Sequence, residues 1–214
     1  MRTIPRILYL FLLYSACISG LAAVAQNSIS GKTKYAHKTP AGVYAPTTIG
    51  NPVSNCDSIK VLLKQNDINI DTACPDIIGN YIFSNLPNGT YTIEALVHKK
   101  WGGVGSSDAQ AVMRHFVNFN GFSLYPDGYF TNIFLLAGDV NGMGFVPNAL
   151  DALMITRRFV GIIPDFKPPA VNPGRPDYTS EKHTIIVSDG INIIKDILVL
   201  ATGDVNGTFT PYSP

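Results

Sequence analysis

The chain has 214 residues, with 16 Lys+Arg against 15 Asp+Glu and a net charge of +1. Charged residues make up 14 % and hydrophobic ones 46 %, which excludes both a disordered tail and a basic nucleic-acid surface. Only Glu94 and Glu181 among the acids are Glu, and 19 Gly and 15 Pro supply turns. The balance favours short strands and calcium loops built from Asp over a cleft with long acid/base side chains.

Residues 1–25 have the form of a cleaved secretory leader. Arg2 and Arg6 give a basic start, residues 7–21 are apolar, and Ala23-Val24-Ala25 is a small-x-small cleavage site. A retained membrane anchor and a lipid attachment at Cys17 are the alternatives. No later stretch is long and apolar enough to span a bilayer. Cleavage leaves 214 − 25 = 189 residues, enough for one large domain or two small ones. The exported chain keeps Cys56 and Cys74, either as one disulfide or as two half-buried thiols.

Residues 26–98 read as short strands between turns. Strands are expected at 29–35, 58–63, 80–83 and 91–97, the second and last from polar/apolar alternation. Leu86-Pro87-Asn88-Gly89-Thr90 is a turn cluster, and the set describes a β-sandwich. The run from Ile77 to Ile93, with Gly79, Tyr81, Phe83, Leu86, Gly89 and Tyr91, resembles the G-x-Y-x-F-x-x-L-x-x-G-x-Y signature of carboxypeptidase-regulatory-like (transthyretin-like) domains. Ile29-Ser30-Gly31-Lys32 also fits. The resemblance covers about a third of the chain and implies a prealbumin-like β-sandwich of the carbohydrate-binding-like type. In most such relatives the domain is a spacer or stiffener. Trp101 is the single tryptophan and no row of aromatics marks a sugar platform, so spacer ranks ahead of sugar binder. Asp57-Ser58-Ile59 and Asp71-Thr72-Ala73 resemble short bacterial O-glycosylation sites.

Residues 99–214 carry an internal repeat. The stretch from Asp108 to Val117 aligns without gaps to the stretch from Asp151 to Val160, with Asp, Ala, Arg, Phe and Val recurring. Ala109, Val112 and Phe116, and Ala152, Ile155 and Phe159, fall at helical spacing. Asp108 and Asp151 stand at the helix starts, where a carboxylate caps free N–H groups. A second repeat is Gly138-Asp139-Val140-Asn141-Gly142, which returns as Gly203-Asp204-Val205-Asn206-Gly207. Asp-x-Asn-Gly puts two oxygen side chains on one side of a tight turn, the opening half of an EF-hand-type calcium loop.

Together these repeats resemble the type I dockerin module, a calcium loop running into a helix, and the dockerin-like segments of secreted bacterial proteins. The resemblance covers about half of the chain. It implies a small α-helical module that binds Ca2+ and docks to a protein partner, cohesin-like or another surface protein. It makes Asp139 loop position 1, Asn141 position 3, Phe145 the carbonyl ligand and Asp151 the closing carboxylate. Met143 stands where a side-chain oxygen belongs, and Asp139 to Asp151 is a step of 12, one more than the standard loop takes. Asn148 lies near the insertion and could restore a ligand.

The order of the parts is unusual. The helix from Asp108 has no Asp-x-Asn before it, and the turn at Asp204 has no helix after it. The expectation is a circularly permuted duplicate in which residues 203–209 dock beside residues 104–108. A split second site then forms from Asp204, Asn206, Thr208 and Asp108. The plain alternative is a helical hairpin held by turns and caps, with no ion.

Residues 191–200 read as a short helix or strand, and residues 167–176 as a Pro-rich surface loop. Arg114, Arg157, Arg158 and His115 form either a partner-facing basic face or solvated helix ends. No G-x-S-x-G, H-E-x-x-H or P-loop pattern is present, and the four His are scattered, so no enzyme is expected. Two functions follow: a non-catalytic exported calcium-binding docking or adhesion module, or a carbohydrate-binding accessory protein with glycan as its partner.

Overall fold

Alternation of buried and open positions organises most of the molecule. The computed structural model describes residues 26–39, 43–51, 56–118, 132–144, 146–166 and 177–211. Residues 1–25, where a leader is expected, Phe145 and the Pro-rich residues 167–176 lie outside the described residues. Strand β1 (Asn27–Tyr35) is followed by β2 (Thr47–Thr48), β3 (Ile59–Gln65), β4 (Ile68–Ala73), β5 (Asn80–Leu86) and β6 (Gly89–Val97). Helices α1 (Ser106–Phe116), α2 (Ile133–Gly138) and α3 (Ala149–Phe159) come next. Strands β7 (Tyr178–Ser180), β8 (Lys182–Val187), β9 (Asn192–Ile194) and β10 (Ile197–Ala201) complete the order.

The protein is mainly β, with two sheets. One runs β4-β3-β6-β8, all antiparallel. The other is centred on β1. Its first half pairs with β5 on one side and, in parallel, with β9 on the other. Its second half pairs with β2 and, in parallel, with β10, which also pairs with β7. Ile29 and Tyr35 from β1, Tyr81 and Phe83 from β5, and Val199 from β10 share one core with Val61, Leu63, Ile93 and Ile185 from the other sheet. Burying such a set of side chains, at about 1.5–3 kcal/mol each, is the main driving force for the fold.

The expected strands at 29–35, 58–63, 80–83 and 91–97 are present as β1, β3, β5 and β6. The sheets do not end at residue 98, however. Residues 178–201, which the sequence assigns to the second module, give four strands to the two sheets, and β1 takes its parallel partners from them. Within residues 191–200 the structure has strand at Asn192–Ile194 and from Ile197 on, and no helix. Cys56 and Cys74 form a disulfide, with Cα atoms 5.1 Å apart. It ties the entry to β3 to the exit from β4. No described helix is long and apolar enough to cross a membrane.

The helices stand beside the sheets. Helices α1 and α3 pack on each other, and each buries the equivalent positions, Asp108, Ala109 and Val112 in α1 and Asp151, Ala152 and Ile155 in α3. The third apolar residue of each stripe stays outside this core, since Phe116 and Phe159 are both 52 % exposed. One short interface between two helices needs only one turn of apolar residues from each, so the last turn of both projects outward. Helix α2 is apolar all round, with Ile133, Phe134, Leu135 and Ala137 buried, and it packs on β10 and β7. Trp101 locks the end of α3 to the sheet side. Its Nε1–H donates to Thr202 O at 2.9 Å, its ring meets Phe166 edge-on at 5.4 Å, and Arg158 lies 4.6 Å above it.

Candidate metal centre

The two Gly-Asp-Val-Asn-Gly segments start differently, with Gly138 ending a helix and Gly203 at φ +92°, but close in the same way. Each valine, Val140 and Val205, is fully buried and anchors its turn. Gly142 N–H donates to Asp139 O at 3.4 Å, and Gly207 N–H donates to Asp204 O at 3.2 Å. The final glycines take φ +67° and +63°, a left-handed conformation that other residues adopt at a cost. Asn141 Oδ1 accepts from Met143 N, and Asn206 Oδ1 accepts from Thr208 N, at 2.7 and 3.0 Å.

Each turn is fastened to a helix head by one carboxylate. Asp151 accepts from Asn148 N on Oδ2 at 2.9 Å and from Asn141 N on Oδ1 at 3.0 Å. Asp108 repeats this, accepting from Gly105 N at 2.8 Å and from Asn206 N at 2.9 Å. One oxygen closes the helix N-terminus and the other holds the Asp-x-Asn turn. The residues expected at the split site, Asp108, Asp204, Asn206 and Thr208, thus come together across a separation of 98 positions. Asn206 Nδ2 also donates to Ser107 Oγ at 2.7 Å, and Thr208 Oγ1 donates to Asn206 Oδ1 at 2.6 Å.

The contiguous set, Asp139, Asn141 and Asp151, is likewise brought together, and all three are buried. Met143 is 83 % exposed and turns away from it. Asn148, considered above as a replacement ligand, acts as an N-cap, with Oδ1 accepting from Leu150 N at 2.8 Å. Of the basic residues on the two helices, Arg114 and Arg157 are exposed, His115 is half-buried and Arg158 stacks over the Trp101 ring.

The electrostatics of both sets point the same way. Burial, opposed by backbone N–H donors and reinforced by the charge of Asp204, pushes the Asp108 carboxyl up to about 7. Burial also raises Asp204, to about 6, against the stabilising hydroxyl of Tyr35. Asp151 is raised by burial and by the charge of Asp139. Among the described residues neither Asp108 nor Asp204 forms an ion pair with Lys or Arg. Asp108 and Asp204 are both fully buried, and each of their oxygens accepts a hydrogen bond from a backbone N–H or from the Tyr35 hydroxyl. Each set offers two acids, so among the described residues no cluster of three His, Cys, Asp or Glu forms. The remaining oxygens of a calcium shell would come from Asn, Thr, carbonyls or water.

The residue that sequence reasoning missed is Tyr35. Its hydroxyl donates to Asp204 Oδ2 at 2.6 Å and accepts from Ala201 N at 3.2 Å. Burial, and then the charge of Asp204, raise its pKa and keep it a donor. The only sequence signal was a bulky polar-tipped residue at an inward position of β1.

A separate open groove of about 950 Å³ lies on the outer face of the β1 sheet, lined by Ser30, Lys32, Asn80, Ile82, Ile194 and Asp196 among others. Tyr81 is its one aromatic and is 4 % exposed. No protein-family model matches the chain, and no curated protein matches its sequence.

Proposed function

We propose that the chain is a non-catalytic, exported, calcium-binding docking or adhesion module, an accessory part of a polysaccharide-handling or cell-surface assembly. The observation that carries this reading is the convergence of two equivalent oxygen sets, each with two buried carboxylates at the head of a helix. The spacing of those ligands and the helix that follows them support a dockerin-like unit in permuted order. The two-sheet architecture is compatible with a carboxypeptidase-regulatory-like spacer. The helix pair leaves Phe116, Val117, Phe159 and Val160 exposed at matching positions, which suits a protein partner. The leader in residues 1–25 supports export.

The test uses the whole chain without its leader, because the sheets need strands from both halves. Titration calorimetry and elemental analysis should find about two calcium ions per chain, one for each set. An immobilised chain should retain a cohesin-like or other surface protein in calcium and release it in chelator. A chain that carries no ion and melts identically in calcium and chelator sinks this reading.

The second reading is a carbohydrate-binding accessory protein whose helical part is structural. The outer-face groove favours it, and its lack of an exposed aromatic ring among the described residues weighs against it. Glycan-array binding unchanged by chelator would select it.

A further inference from the structure

The two oxygen sets hold different things together. Asp151 and Asn141 bond within residues 140–151, so the contiguous set organises a loop and its own helix. The split set reaches three remote parts of the chain. Asp108 brings α1, and Asp204 belongs to the turn after β10. Tyr35, 169 positions from Asp204, brings the end of β1.

That third connection sits on a seam of the sheet. Tyr35 is in register with Val199 where β1 and β10 run parallel, and its hydroxyl oxygen accepts from Ala201 N at the end of β10. The turn itself is pinned on both flanks. Lys38 N–H donates to Gly207 O at 2.8 Å, and Phe209 meets the Tyr35 ring edge-on at 6.3 Å. On the helix side the backbone approaches closely. A Cβ on Gly103, which has φ +86°, would lie 2.8 Å from Asp204 Cγ. The arms of the split set are therefore preassembled only when β1, β10 and the segment before α1 are all in place.

We propose that the split set is a calcium-operated clasp on the β-sandwich. Cation binding among Asp204, Asn206, Thr208 and Asp108 fastens the β1–β10 seam, while the contiguous set serves one loop and the helix that follows it. This rests on the calcium reading above. An ion that binds only the assembled site stabilises whatever must be assembled to make it. For the split set that is the seam; for the contiguous set it is one loop and one helix.

Hydrogen exchange of the whole leaderless chain, in calcium and in chelator, tests the clasp. In the wild type, calcium at ten times its Kd should slow amide exchange at residues 33–36 and 199–201 about tenfold. Asp108→Asn should lose that response and keep calcium-dependent protection in α3, and Asp151→Asn should do the reverse. Tyr35→Phe keeps all four proposed ligands, so it should still bind calcium by calorimetry while the seam response shrinks. It also serves if Asp108→Asn fails to fold. Calcium binding by the wild type with unchanged seam exchange overturns the clasp and leaves the calcium reading standing. So does a seam response that survives in Asp108→Asn or stays at full size in Tyr35→Phe. Absence of calcium binding by the wild type overturns both.

Discussion

Asp151 and Asp108 do the same work at the heads of two helices, yet the chain supplies their partners in opposite ways. Asp151 reaches back ten positions to Asn141 within one continuous loop, whereas Asp108 waits for Asn206, 98 positions later. The hydrogen bonds match to within a few tenths of an ångström. Equivalent geometry therefore does not require equivalent connectivity; it requires the same turn, the same helix head and one shared carboxylate. What connectivity changes is the consequence of losing a contact. A break in the continuous loop frees a loop, and a break in the split set also loosens the sheet beside it.

Calcium removal should have the largest effect on this pair. With calcium at about 100 times Kd, each filled site adds about 2.7 kcal/mol, or roughly 5–10 °C in Tm for a chain of this size. Scanning calorimetry with and without chelator measures it. Next comes Asp204→Ala, which strips the acceptor from Tyr35 OH, Thr208 N and Phe209 N. It should cost about 3 kcal/mol in urea unfolding even in chelator. Ile155→Ala and Val112→Ala probe the shared helix interface from its two sides. Both are fully buried, and losses of about 3 and 2 kcal/mol are expected.

A pH series separates the charge within the split set from its packing. In the unfolded chain Asp108 returns to its ordinary 3.8, whereas in the fold burial holds it at about 7. Asp204 moves the same way, to about 6. The fold thus binds these protons more tightly than the unfolded chain. In chelator their contribution to stability is fully present below about 4 and is lost as pH rises through 6 to 7. Saturating calcium should remove that decline, because the cation takes over from the protons. Thermal melts between pH 5 and 8 read both trends. The smallest effect belongs to Met143→Asp, which offers the contiguous set a side-chain oxygen and should tighten its calcium binding about tenfold with no change in the split set.

Much of the architecture was legible where burial imposes a period. Ile59, Val61 and Leu63 alternate with half-buried residues in β3, and Tyr91, Ile93 and Val97 mark β6 in the same way. Strand β4 was not legible, because it is an edge strand with Ile68 through Thr72 all exposed and no face to pattern. Its hairpin turn rests on Asn66 and Asp67 at positive φ, which alternation does not report. Helix α2 is short and apolar on every side, so it has no stripe to read. The metal candidates were legible because a turn and a helix head were each written twice. Tyr35 was not, because its role comes from a parallel pairing with strands from the far end of the chain, and local sequence carries no trace of that. Phe116 and Phe159 showed the limit of helical spacing: it fixes which side chains share a face, not how far along the helix the neighbour extends.

The parallel pairing of β1 with β9 and β10 has a consequence for how the molecule is made. A ribosome delivers β1 first, but its neighbours on that side arrive only with residues 192–201. Until then one flank of β1 has unused backbone donors and acceptors, and Tyr35 has no acid to bind. Contacts of such long sequence separation form slowly. Cooperative closure of the sandwich therefore waits until residues 192–201 have emerged, and the segments made in between must stay apart from that flank of β1 until then.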